Sequence, residues 1–243
     1  MKTLSSERGS AIVWILIAVF LFAALSYVMM QGNRSSTSML SDEEAKAYAT
    51  QIISFGNEMK TTVKRLQLRG CEDNEINFSN SIYKFTASPS LDAWVQNHNP
   101  NSPTNESCNI FSANGGQITP KQFTKGAVTS ASAGGLFAGD SAVIVGRVNG
   151  VGTTAPELLL FVIGIDLNVC EHINKLLGIN TTDPIPNDGY SAWTPFSAAN
   201  VNYDAAFSIF GDDDTQLTGK SAFCSQVNDA STAGMYFQVL ISR

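Results

Sequence analysis

Three consecutive acids, Asp212-Asp213-Asp214, followed by Thr215 and Gln216, are the strongest candidates for chemistry in this chain. Adjacent carboxylates and carbonyls in a loop suit calcium, which takes about six to eight oxygen ligands. EF-hand spacing is absent, and the competing reading is a solvated turn between strands. Two histidines are present, His98 in a Pro/Asn-rich stretch and His172 two residues after Cys170. Helical positions two apart point about 200° apart, so Cys170 and His172 cannot readily share a metal. No GxSxG, HExxH or Walker sequence occurs. Gly150-Val151-Gly152-Thr153-Thr154 follows a strand-like segment, but Pro156 and another strand come next. A phosphate cradle needs a helix N-terminus there. The residues point away from an enzyme, and calcium is the one cofactor they suggest.

Four cysteines, Cys71, Cys108, Cys170 and Cys224, form no CxxC pair, so zinc-ribbon and redox spacings are absent. An even count in an exported domain favours two disulfides over four buried thiols. Three connectivities exist, and proximity favours Cys71–Cys108 with Cys170–Cys224. Each would stabilise the domain by about 3–4 kcal/mol in the chain-entropy model.

The elements that must position these residues follow from periodicity. Ser41-Asp42-Glu43-Glu44 has the form of a capping box, with acids at the positive end of a helix. Ala45, Tyr48, Ile52, Phe55, Met59, Val63 and Leu66 then recur every three or four residues, up to a stop at Gly70. Ile76-Asn77-Phe78 and Ile82-Tyr83-Lys84-Phe85 alternate like short strands. Ser88 to Ser107 reads as a surface loop. Ala142 to Val148 and Glu157 to Ile163 read as a hairpin. Asp166 caps a helix over Leu167 to Leu177, ended by Gly178. Ala205 to Phe210 and Met235 to Ile241 are further strands.

Composition narrows the class. The chain has 243 residues and a net charge of −6, with only 15% charged residues. This argues against a nucleic-acid partner, because phosphate binding needs clustered Lys and Arg. The one basic run, Lys60, Lys64, Arg65 and Arg69, lies along the helix that begins at Ser41.

Ahead of that helix, Ala11 to Met30 is an uncharged apolar run of 20 residues. That length of helix covers about 30 Å, the thickness of a bilayer core. Lys2 and Arg8 precede it, and a bias of positive charge to that side favours a cytoplasmic N-terminus. The expectation is a single-pass inner-membrane protein, in contact with membrane lipid, with its head periplasmic or extracellular. A cleaved secretory signal is the alternative, although the run exceeds an ordinary h-region and lacks an A-x-A site.

The segment Glu7-Arg8-Gly9-Ser10-Ala11-Ile12-Val13-Trp14-Ile15-Leu16-Ile17 resembles the start of type IV pilin-like proteins, including the pseudopilins of type II secretion systems. The resemblance implies a leader ending at Gly9, cleavage by a prepilin peptidase, and a mature N-terminus at Ser10. It also implies assembly with other pilin-like subunits. In most members the fifth mature residue is Glu; here it is Trp14. Minor subunits at the filament tip often lack this Glu, so the resemblance implies a minor, tip-like role.

The expected fold is α+β: a long N-terminal helical stem, with a transmembrane half and an amphipathic half, packed on a mainly antiparallel-sheet globular head. The expected boundaries are a leader over 1–9, a transmembrane helix over 10–31, an amphipathic stem helix over 41–69 and a head over 70–243. The expected function is that of a structural subunit. The alternative is an unprocessed, membrane-tethered binding or adhesion domain.

Overall fold

The computed structural model describes residues 13–22, 41–80, 99–123, 141–179, 184–188, 194–195, 202–203, 207–226 and 233–243. The chain divides into two compact units, residues 1–41 and 42–243. In the first, residues 13–22 form a helix, α1, with its side chains exposed.

The long N-terminal stem is not seen among the described residues, which corrects the expected fold class. Of the expected transmembrane helix over 10–31, residues 10–12 and 23–31 lie outside the described residues. No described helix is long and apolar enough to cross a membrane. The transmembrane half of the expected stem and the single-pass inner-membrane placement rested on such a span, and this finding overturns them.

In the second unit, helix α2 (Asp42–Leu68) starts with Asp42, Glu43 and Glu44 in its first turn. It ends in a Schellman motif. Cys71 N–H donates to Leu66 O at 3.1 Å and Gly70 N–H to Gln67 O at 3.0 Å. That closure needs a left-handed residue, and Gly70 supplies it at φ 99°. One face of α2, through Ala45, Ala49, Ile52, Phe55, Met59, Val63 and Leu66, is buried. Tyr48 is only half-buried and flanks this stripe.

The sheet follows. Strands β1 (Ser141–Val148) and β2 (Glu157–Ile165) form the expected antiparallel hairpin. Helix α3 (Leu167–Leu176) then begins at Asp166, whose side chain accepts Asn168 N–H at 2.9 Å. Strands β3 (Thr194–Pro195), β4 (Ile209–Phe210), β5 (Ala222–Gln226) and β6 (Gly234–Ile241) complete the order β3-β1-β2-β6-β5. The sheet is mixed, because β4 joins β1 in parallel. Of the expected strand over Ala205 to Phe210, 205–206 and Ile82 to Phe85 in full lie outside the described residues.

Both central strands, β2 and β6, are buried along their whole length. Alternate residues serve opposite faces. On one face Phe237 gathers Phe161, Phe210 and Phe223 at ring distances of 5.3, 4.6 and 5.2 Å. On the other, Tyr236 and Gln238 meet α2 at Gly56. A Cβ on Gly56 would lie 2.7 Å from the Tyr236 hydroxyl, which donates to Gln238 Oε1 at 2.8 Å. The Tyr236 ring is fully buried and has no room to withdraw. Gly56→Val is expected to lower stability by about 2–3 kcal/mol, the scale of overpacking in a filled core, read as a shift in urea midpoint without a change in slope.

Strand β5 is an edge, and its outward backbone groups are covered. Asn174 of α3 accepts Cys224 N–H at 2.9 Å and donates to Cys224 O at 2.8 Å. The side-chain amide stands in for the next strand's peptide. Two residues on, Gln226 exchanges bonds with the segment 184–188: its N–H donates to Pro186 O, and its carbonyl accepts Asp188 N–H. Such cover removes the template that an open edge presents to another chain.

Candidate functional site

The two helices fix the cysteines in the expected pairs. Cys71, just past the end of α2, bonds Cys108 at an S–S distance of 2.04 Å. Cys170 of α3 bonds Cys224 of β5 at 2.07 Å. Both bridges tie a helix to the segment it lies against.

The acidic run is placed differently from a cation cage. Asp212 and Asp213 are exposed, and Asp214 turns back so that Oδ1 accepts Gln216 N–H at 2.8 Å. Among the described residues no three His, Cys, Asp or Glu side chains are placed to hold a metal ion. His172 Nε2 lies 2.9 Å from Asp42 Oδ1, joining α3 to the first turn of α2. His98, Gly9 and Ser10 lie outside the described residues. The basic residues of α2 include two that bind the protein itself: Arg65 donates to Gly116 O, and Arg69 to Gly115 O at 3.1 Å.

The described part of the expected Pro/Asn loop is partly interior. Asn99 is buried and donates from Nδ2 to Asn74 O at 2.6 Å and Ile76 O at 2.9 Å. Asn77 and Asn109 pair their backbones as an isolated bridge. These amides satisfy carbonyls that no regular ladder reaches, which is how a segment with so little secondary structure can be buried.

Beside this segment a cleft of about 400 Å³ is lined by Glu72, Asp73, Asn74, Asn202, Tyr203 and Arg243. The Arg243 guanidinium carbon lies 4.1 Å from the Tyr203 ring centroid. Its Nε is 3.6 Å from Asp73 Oδ2, while Asp73 Oδ1 accepts Gln67 Nε2 at 2.6 Å. Burial, and secondarily the charge of Asp73, pushes the Tyr203 hydroxyl well above its ordinary range. Tyr203 also holds φ 60°, a region a bulky side chain rarely adopts and one often found at ligand sites. The cleft mixes hydrogen-bond donors with acceptors and places no nucleophile beside a base.

No family model matches the chain. No curated protein and no solved structure matches it either. Its functional reading therefore rests on its own residues.

Two buried acids escaped the sequence reading. Glu157 Oε2 accepts Val148 N–H at 2.9 Å, and burial raises its carboxyl above the usual range. Asp188 is fully buried, with Oδ1 accepting Gly211 N–H at 2.8 Å. Burial first, and then the charges of Asp212 and Asp213, raises its carboxyl from 3.8 to about 6. Glu157 opens a strand that already reads as apolar. Asp188 sits in Asn187-Asp188-Gly189, which has the signature of an exposed turn.

Proposed function

We propose that this chain is a non-catalytic structural subunit of the pilin-like class, serving a filament or a secretion apparatus by packing. The observation that carries the reading is the junction Arg8-Gly9-Ser10 ahead of an apolar run, followed by a disulfide-tied head. Support comes from the way α2 spends its apolar face on the head, leaving a polar outer face. Trp14 in place of an acid fits a minor, tip-like subunit. Its partners are then other pilin-like subunits and a prepilin peptidase.

Mass spectrometry of the mature protein, from a host with an active prepilin peptidase, tests this reading. The expected result is a chain beginning at an N-methylated Ser10, and accumulation of the uncut form for Gly9→Val. Recovery of Met1 to Gly9 intact in the unmutated protein would sink it.

A second reading has one observation in its favour. The cleft around Tyr203 and Arg243 suits a binding or adhesion domain that keeps its leader. The same mass measurement separates the two.

A further inference from the structure

Asp188 stands where opposite ends of the sheet are joined. Its backbone N–H donates to Gln226 O at 2.8 Å on the open side of β5. Its side chain reaches the other way, to the N–H of Gly211, directly after β4. Strand β4 pairs with β1, and β1 and β5 lie on opposite sides of the central strands β2 and β6. One aspartate therefore spans both. Its second oxygen, Oδ2, is sealed from solvent with no hydrogen-bond partner.

The surrounding charges make this arrangement conditional. Those acting on Asp188 are Asp212 and Asp213, both of its own sign and both on the loop after β4. Strand β5 contains no charged residue, and no charged group of α3 is among those acting on it. The amides of Gly211 and Asp212 favour the ionised carboxylate, but burial and the two like charges outweigh them. An orphaned, buried carboxylate oxygen is costly, and a single proton removes its charge.

We infer that Asp188 is a proton-operated clasp: with a proton on its carboxyl it holds the β5 edge to the loop Gly211–Leu217, and when ionised it is repelled by Asp212 and Asp213 so that this loop loosens. The inference is independent of the pilin-like reading. Because the carboxyl is raised to about 6 in the folded protein, its stabilising contribution is complete below the unfolded value near 3.8. It is lost as the pH rises through about 6. Acidification therefore tightens this part of the head.

The test combines urea unfolding with amide exchange over Gly211–Leu217 and Ala222–Gln226, at about pH 7.5 and about pH 5. The wild-type folding equilibrium is expected to shift about tenfold toward the folded state at the lower pH through Asp188 alone. Asp188→Asn should remove that component and protect both segments at the higher pH as well as the wild type is protected at the lower. Glu157 contributes to both proteins and cancels in the comparison. The double variant Asp212→Asn/Asp213→Asn keeps the clasp and should move its midpoint to lower pH; it decides alone if Asp188→Asn fails to fold. Equal pH slopes in wild type and Asp188→Asn would overturn the inference, as would an unmoved midpoint in the double variant. So would millimolar calcium at the higher pH restoring full protection, since a cation rather than a proton would then be the neutralising partner.

Discussion

Asn174→Ala should cost about 3 kcal/mol of stability, because it leaves a buried N–H and a buried carbonyl of Cys224 without partners. The loss exceeds that of an ordinary surface amide because nothing else described reaches those two groups. Removing the side chain also uncovers the β5 edge, so the variant should self-associate at concentrations where the wild type does not. Urea unfolding gives the first quantity and sedimentation gives the second. Asn174→Asp sharpens the comparison: the carboxylate still accepts Cys224 N–H but repels Cys224 O, so it should fall below wild type as well. A loss under about 1 kcal/mol for Asn174→Ala would show that water or a neighbouring segment replaces the amide.

The second large effect concerns Gly234, the residue beneath the Cys170–Cys224 bridge. A Cβ added there would lie 2.6 Å from Cys170 Sγ and 2.9 Å from Cys170 Cβ. Backbone on β6 and the sulfur on α3 are both fixed by packing, so Gly234→Ala should block closure of the bridge. Thiol titration of the unfolded protein should then find two free cysteines in place of none. The bridge joins residues 54 apart, and opening a loop of that size costs about 4 kcal/mol in the chain-entropy model. The matched control, Cys170→Ala/Cys224→Ala, should lose a similar amount. Adding Gly234→Ala to that control should then cost far less, because the crowding atom is gone. Full bridge formation in Gly234→Ala would contradict the packing argument.

The elements legible in the sequence are those whose signal is local. The Ser41–Glu44 box, the stripe from Ala45 to Leu66 and the Gly70 stop each rest on contacts within a turn or two, and α2 follows them closely. The hairpin of β1 and β2 and the Asp166 cap are local in the same sense. Proximity along the chain also favoured the disulfide pairs that form. The sheet order was not legible, since inserting β6 between β2 and β5 depends on long-range pairing. Nor was the parallel contact of β4, a strand of two residues.

The apolar run from Ala11 to Met30 shows the opposite failure. Its composition alone suggested a span, yet no described helix is long and apolar enough to cross a membrane. For the candidate sites, residue type misled in both directions. Asp212 to Asp214 attracted attention by adjacency, while Asp188 and Asn174 looked like ordinary turn and helix-surface residues. Their roles come from burial against partners 23 and 50 residues away, which no short window contains.

Helix α2 is held unequally at its two ends, and this gives the head a mechanical polarity. At its C-terminal end the Cys71–Cys108 bond and the Arg65 and Arg69 contacts with Gly115 and Gly116 form a covalent and polar anchor. At its N-terminal end Asp42 meets His172, and no disulfide crosses there. A pull applied from the N-terminal side of the chain would break that contact first and then draw the apolar face of α2 off the head turn by turn, until the load reached Cys71. The strand released from Asp42 to Gly70 would extend to about 100 Å before the sheet felt any tension. Under traction the helix would act as a shock absorber with a hard stop, and the remainder of the head would stay folded behind it.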